Sequence, residues 1–505
     1  MSVMVKNVGS NWVATLAAVA VNYLLTPFLI NAFGTDGYGI YMLIMSIAGY
    51  LSLLILGVPM ASVRYFAEYV AKGDQQKMNE TIGSCVALYT FLGTVALLIG
   101  AGLFVFFSRT YTIPQTWQSD SRMAFALVVL YVSIGFVGFL PEGIMHGYQD
   151  FVVRNSIILS ILALRLGLSL LLLTYFPSLA LLALIQVGCL IMDFWISWYV
   201  IKRRHKGLVI SFAKFRWAVL RRIFSFSLYV LMLSLGGRLI FQTGPIIIGA
   251  FLDIAHIPFY TVANYFLVYL IEFIVGIAAV LMPMATKLES EKRTSELKEI
   301  FLKVSKISFS LTLLCGLFLI VLGPRVIAWW ISPLFETPAG VVLQILMLSG
   351  LVLLPVRGVA QPILMGLGRV GLPTITFLAA GVFNVVLSVV LVKPFGLPGV
   401  AIATAIPAVV MSLIILVFAC RVLDVPLLTY VRYVGGRACL GAMPLLGLLL
   451  WFRVGCEVQS LAGLLASSVA TVLVFALIWV FFVFRNDPYI DLLDRLRALW
   501  VWREA

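Results

Sequence analysis

Charge is what this 505-residue chain has least of. Asp, Glu, Lys and Arg together make up 11% of it and hydrophobic residues 62%, whereas a soluble domain carries roughly 25% charged residues. The mean hydropathy is +1.10. So few charges cannot cover a water-facing surface of this size, so lipid is the solvent for most of the chain. Histidine is scarce too: His146, His205 and His256 lie far apart, without the spacing of metal ligands. The six cysteines form no C-x-x-C pair and read as small hydrophobes in or beside apolar runs. The sequence has no G-x-x-x-x-G-K-[ST] loop, no nucleophile elbow and no convincing carboxylate pair, which argues against an enzyme and against a bound cofactor. GLGRVG at 366–371 matches a dinucleotide fingerprint by letter, but it separates two apolar runs and lies in no βαβ unit. Asn79-Glu80-Thr81 matches a glycosylation acceptor on the side expected to be cytoplasmic, so the match reads as chance.

Long apolar runs are what the chain does have. Lipid permits only helices or a closed barrel, because each backbone amide needs a partner within the protein. Barrel strands would show alternating segments of about ten residues. The runs here are continuous and long enough for a helix to cross the hydrocarbon core. The fold class expected is therefore all-α, a polytopic membrane protein with about fourteen transmembrane helices. Their approximate limits are 8–33, 39–62, 81–107, 122–144, 155–176, 179–201, 223–251, 259–284, 304–326, 340–363, 372–392, 399–420, 438–453 and 461–484. The first reads as an uncleaved span, since no small-residue cleavage site follows it.

Lys and Arg set the orientation. With the N-terminus cytoplasmic, 27 of the 35 basic residues fall on the cytoplasmic side and 5 on the other. Both termini are then cytoplasmic, and anionic lipid accounts for the +14 net charge without a nucleic acid partner. Segment 202–222 mixes basic residues with Phe212, Phe215 and Trp217 and is expected to be an interfacial linker. Segment 286–306 is expected to extend a helix into the cytosol. After the last span, Asp487 before Pro488 starts an expected amphipathic tail helix over 485–505. Loops on the far side are about fifteen residues at most, too short for a catalytic domain.

The chain also repeats itself. LLTPFLINAFGTDGYGIYML, from Leu24, returns more weakly as GPIIIGAFLDIAHIPFY at Gly244 to Tyr260. Pro27 and Pro245, and Asp36 and Asp253, hold comparable places in the two copies.

Charge at depth carries the functional signal, because an ionised side chain at mid-bilayer costs about 2.5–3.5 kcal/mol on insertion scales and faces a cavity or a partner. Arg165 sits halfway along the fifth run and Arg238 halfway along the seventh, after Gly236 and Gly237 and before Pro245, where a bend beside a cavity is expected. Arg357 lies in the cytoplasmic half of the tenth run, where a long side chain can also snorkel to the interface. These three are the candidate substrate-binding residues, since arginine offers a fork of donors to phosphate. Glu272 and Asp193 are candidates for ion coupling or for ion pairs, Arg238 with Glu272 among them. Glu142 and Arg64, at inner ends of spans, read as anchors or local pairs.

FGTDGYGIYMLIMSIAGYLSLLILGV, with the exit RYFAEY followed by KGD, resembles the polysaccharide transporter family. That family includes bacterial flippases of lipid-linked oligosaccharides, such as O-antigen flippases, within the multidrug/oligosaccharidyl-lipid/polysaccharide exporter superfamily. The resemblance implies two six-helix lobes around a central cavity plus two extra helices: an N-terminal lobe over 1–201, a linker over 202–222, a C-terminal lobe over 223–420, extra spans over 421–484 and the tail. It implies export of a polyprenyl-pyrophosphate-linked oligosaccharide across the bacterial inner membrane by alternating access. Membrane lipids, a glycan polymerase and glycosyltransferases are the implied partners. Competing readings are a multidrug or cation antiporter of the same superfamily, a membrane glycan ligase or polymerase, and a non-transporting scaffold.

Overall fold

The computed structural model describes residues 3–490 other than 56, 279, 457 and 459. Among the described residues the regular structure is helical throughout. Among the described residues eleven stretches are long and apolar enough to cross a membrane, and a bent pair, Leu231–Phe241 with Gly244–Phe251, raises this to as many as twelve. Two of the eleven are overlong. Gly9–Ile55 and Gly371–Val422 hold 47 and 52 residues. A straight helix of that length would reach about 70–80 Å at 1.5 Å per residue, more than twice the hydrocarbon core. Each is interrupted once, by Gly34 (φ 68°, ψ −177°) and by Gly396 (φ 61°, ψ −136°). Glycine alone adopts such angles without strain. Each glycine sits in the same pattern, Phe33-Gly34-Thr35-Asp36-Gly37 and Phe395-Gly396-Leu397-Pro398-Gly399. Each overlong helix is thus two spans, which makes the count compatible with the fourteen expected.

By contact the chain divides into two compact units, one of residues 1–238 with 245–258 and the other of 239–244 with 259–505.

The first unit contains α1 (Val3–Leu51), α2 (Val58–Lys72), α3 (Gln75–Thr110), α4 (Gln115–Gly147), α5 (Phe151–Tyr175), α6 (Leu179–Arg204), most of α7 (Trp217–Phe241) and α8 (Gly244–Phe251). Here α4 packs most extensively on α6 and α3, and α1 on α5. Short polar side chains start these helices. Asp74 accepts from the backbone N–H of Lys77 at the start of α3, and Asp120 accepts from Ser178, Leu179 and Ala180 at the start of α6. The expected interfacial linker is pinned to α3. Asn79 donates to the carbonyl of Gly207 and accepts from the N–H of Val209, while Ser84 Oγ accepts from the N–H of Arg216. Both ends of the Asn79 amide are engaged and the residue is buried, which rules out glycan attachment there. Phe212 and Trp217 are exposed. The bend expected near Arg238 is present: α7 and α8 meet at 43° just before Pro245.

The second unit contains α9 (Ile257–Ala278, which begins within the first unit's segment), α10 (Leu281–Ser290), α11 (Thr294–Val321), α12 (Gly323–Trp330), α13 (Glu336–Pro355), α14 (Gln361–Gly366), α15 (Gly371–Val422), α16 (Leu427–Val431), α17 (Arg437–Val454) and α18 (Leu461–Ile478). Single π-helical turns follow α13 at Val356–Ala360, α16 at Arg432–Gly436 and α18 at Trp479–Val483. Segment 286–306 is not one helix: α10 ends at Ser290, Lys292 takes a positive φ of 56°, and α11 restarts at Thr294. Asp487 accepts from the N–H groups of Tyr489 and Ile490. The rest of the expected tail helix, 491–505, lies outside the described residues.

Candidate functional site

Three elements of the first unit line a partly open cavity of about 200 Å³, with Tyr131 on α4, Arg154 and Arg165 on α5, and Gln186 and Asp193 on α6 among its walls. On α5 the lining positions 154, 158, 161, 162 and 165 recur at helical spacing, so one face of that helix forms a wall. The cavity therefore brings Arg165 and Asp193 together. Arg238, the other mid-span arginine of this unit, is not among its lining residues.

The two arginines of the cavity are held differently. Arg154 is buried, and its Nη1 donates to Asp193 Oδ1 at 2.6 Å and to Ser197 Oγ at 3.1 Å, while Nη2 approaches Glu142 Oε2 at 3.4 Å. Asp193 and Glu142 are thus both committed to ion pairs. By sequence Arg154 counts among the basic residues of the cytoplasmic side, because it stands just before the run 155–176. Its burial depends on two carboxylates brought in from α4 and α6, which spacing along α5 does not reveal. Arg165 differs: among the described residues no carboxylate lies within ion-pair distance of it, and its buried Nε has no protein acceptor. Gln186 completes the picture. Its Nε2 donates to Tyr41 Oη at 2.5 Å, and its Oε1 is buried without a donor.

Arg238 belongs to the first unit by contact. Its Nη2 donates to Ser52 Oγ at 2.6 Å, and its carbonyl accepts from Tyr50 Oη at 3.4 Å. Ser52 opens a short 3₁₀ turn where α1 ends, so the guanidinium meets a break in a span. Arg357 lies in the second unit, in the π-helical turn after Pro355. Its guanidinium stands 5.4 Å from the ring centre of Phe241 and 5.0 Å from that of Phe377, a cation–π sandwich. Its Nη1 is buried and unpartnered, so it does not snorkel to an interface. Glu272, on α9 of the second unit, is exposed. No group of three or more His, Cys, Asp or Glu side chains suited to a metal occurs among the described residues.

A multi-pass helical membrane protein with guanidinium groups held inside its spans is the class these features define. A family model described as polysaccharide biosynthesis protein matches residues 4–289, more than half of the chain, and the chain belongs to that family. Two relatives match over shorter stretches: the uncharacterized membrane protein EpsK of Bacillus subtilis, 26% identical over 142 residues, and a protein of Shigella flexneri provisionally named an O-antigen transporter, 24% identical over 129 residues. These matches cover 28% and 25% of this chain, and only 27% and 30% of the relatives themselves. Among solved structures the fold resembles the lipid II flippase MurJ in an inward closed conformation, with a TM-score of 0.68, 14% identity and coverage of 93% of this chain and 98% of that one. It also resembles an inward-facing MATE-family multidrug resistance transporter, with a TM-score of 0.68, 16% identity and coverage of 81% and 94%. The chain shares its fold with these transporters, and that fold does not by itself choose a cargo.

Proposed function

We propose that this protein is a transporter of the bacterial inner membrane, with both termini cytoplasmic, that flips a polyprenyl-pyrophosphate-linked oligosaccharide outward for assembly of a surface polysaccharide. The observation that carries the reading is the state of Arg165, a guanidinium at mid-span with no carboxylate partner among the described residues. Arg165 is half-buried with its Nε fully shielded; an unpaired cation inside a span is costly, and an anionic cargo gives that cost a use. Arg238 and Arg357 are proposed as further contacts for the pyrophosphate and its neighbouring sugar. Family membership and the names of the Shigella relative and of MurJ support a glycolipid cargo.

In this reading lobes over 1–201 and 223–420 rock against one another and expose the cargo site first to the cytosol and then to the far side. The polyprenyl tail stays in lipid while the headgroup crosses. An inside-negative potential favours outward movement of an anion by about 2.3 kcal/mol per charge per 100 mV. Glu272 is proposed as a coupling residue. A glycan polymerase and glycosyltransferases are proposed as partners that extend and supply the cargo.

The competing reading is a multidrug or cation antiporter, which the fold accommodates equally well. A cationic cargo requires free carboxylates, and in the cavity of the first unit the carboxylate is already bound to Arg154. The test is flipping of a labelled lipid-linked oligosaccharide in proteoliposomes. Arg165→Ala with Arg238→Ala should abolish it, and flipping at the wild-type rate would sink the cationic-site reading.

A further inference from the structure

We propose that the α4–α5–α6 cavity is a phosphoryl-oxyanion site in which Arg165 is the principal cation, Gln186 orients the ligand, and Asp193 withholds Arg154 from it. This deepens, and rests on, the reading of Arg165 as a cargo residue.

Charge comes first. Two guanidiniums and one carboxylate line the cavity. Both nearby carboxylates, Asp193 and Glu142, are spent on Arg154, so among the described residues Arg165 is the lining cation without a carboxylate in ion-pair distance. An anion therefore finds its partner at the Arg165 end.

Size narrows the ligand. About 200 Å³ falls below the roughly 300–1,000 Å³ of pockets that take a drug-sized molecule. The recess itself holds a phosphate or a pyrophosphate, and a longer glycan would extend out of its open side. Hydrogen bonding narrows it again. Arg165 Nε needs an acceptor and Gln186 Oε1 needs a donor, and both atoms are buried. A hydrogen phosphate supplies both, as does a phosphoester with an adjacent sugar hydroxyl. Chloride supplies no donor, so the site should discriminate against it. Tyr41 holds the other end of the Gln186 amide, which fixes the orientation that the ligand meets.

Asp193 tunes this site through Arg154. While the 2.6 Å pair is intact, Arg154 contributes little net charge to the cavity. Removing the carboxylate's charge weakens that hold: an amide oxygen at 193 can still accept from Nη1, but Arg154 then presents more positive charge to the ligand.

Binding of inorganic phosphate, inorganic pyrophosphate and polyprenyl phosphate to the full-length protein in nanodiscs tests the proposal, with sodium chloride at matched ionic strength as control. A phosphoryl probe should bind in preference to chloride. Arg165→Gln should weaken binding about tenfold or more, the loss of a charge-assisted pair. Asp193→Asn should tighten it about threefold. If Arg165→Gln does not fold, Arg165→Lys, which keeps the charge and loses the fork, should bind more weakly than wild type and serves in its place. Binding of inorganic phosphate would assign the site to the phosphoryl group alone, and binding of polyprenyl phosphate only would assign it to a lipid headgroup; both sustain the proposal. Equal affinity in wild type and the Arg165 variants, equal response to chloride, or no response to any probe would overturn it. Glycolipid flipping measured on the same variants separates the two readings. Lost flipping with unchanged phosphate binding would remove the oxyanion site and leave the export reading in place. Lost binding with intact flipping would keep the site and take it off the cargo path.

Discussion

Lys306 and Asp487 form an ion pair with Nζ and Oδ2 2.5 Å apart, and both side chains are almost wholly shielded, at 3% and 1% exposure. The pair joins α11 to the segment that follows the last span, 181 positions along the chain. Lys306 also donates to the carbonyl of Val483, and Tyr433 Oη donates to Asp487 Oδ1 at 2.7 Å. Arg437 reaches the carbonyl of Arg485 at 2.7 Å. The extra helices are thus fastened to α11 within the second unit by a charge that no solvent screens.

Removal of one partner strands the other, which for a buried pair costs about 3–5 kcal/mol. Asp487→Ala and Lys306→Ala should each lower the thermal stability of the detergent-solubilised protein by that order. Replacing both, Lys306→Met with Asp487→Leu, should cost much less, and melting curves of the three variants check the difference.

Burial would raise the Asp487 carboxyl, but hydrogen bonds from Lys306, Tyr433 and the N–H of Tyr489, with the charge of Lys306, hold it below its ordinary 3.8. A carboxyl depressed in the folded state stabilises above its unfolded value and loses that contribution as pH falls through the folded one. The fastening should therefore be insensitive to pH from 5 to 8, and should weaken only as pH drops below 3.8. Melting temperature against pH, compared between wild type and the Lys306→Met/Asp487→Leu variant, reads this directly.

Arg154 anchors two carboxylates, so Arg154→Ala should destabilise more than Asp193→Asn. The first leaves Asp193 and Glu142 facing one another without a cation. The second leaves Arg154 with Glu142 and Ser197 still in reach. A cost of about 3–5 kcal/mol is expected for the first and about 1–2 kcal/mol for the second, measured by thermal melting in parallel.

Gly34 and Gly396 have open space where a Cβ would go, so alanine there meets no clash. Its cost comes from φ alone, about 1–3 kcal/mol per site. Gly34→Ala and Gly396→Ala should each lose stability by that amount, whereas Gly102→Ala, inside α3 and also facing open space, should lose none. Comparative melting of the three separates backbone strain from packing.

The membrane fold was legible because hydropathy and length decide it: a run of apolar residues in lipid has one stable backbone. The turn at Gly34 was legible for a similar local reason, since its residues dictate their own dihedral angles. The depth of Arg165 could also be read, because a lone arginine in ILALRLGLSL has no local partner. What spacing cannot give is pairing across helices. Arg154 read as a cytoplasmic-side charge until α4 and α6 brought Glu142 and Asp193 to it, and Asp193 stood open between coupling and an ion pair until its partner was known. Lys306 looked like one of six cytoplasmic charges, and only the return of the chain at Asp487 buries it. Gln186 carried no signal at all, because an isolated glutamine in an apolar span is informative only beside the arginine it shares a cavity with.

The most direct measurement of the cargo assignment is side-by-side transport in proteoliposomes of the purified wild-type protein, with a fluorescent lipid-linked oligosaccharide in one set and a cationic dye in the other. The account predicts flipping of the glycolipid, accelerated by an inside-negative potential, and no dye movement above protein-free vesicles. Dye transport without glycolipid flipping would contradict it.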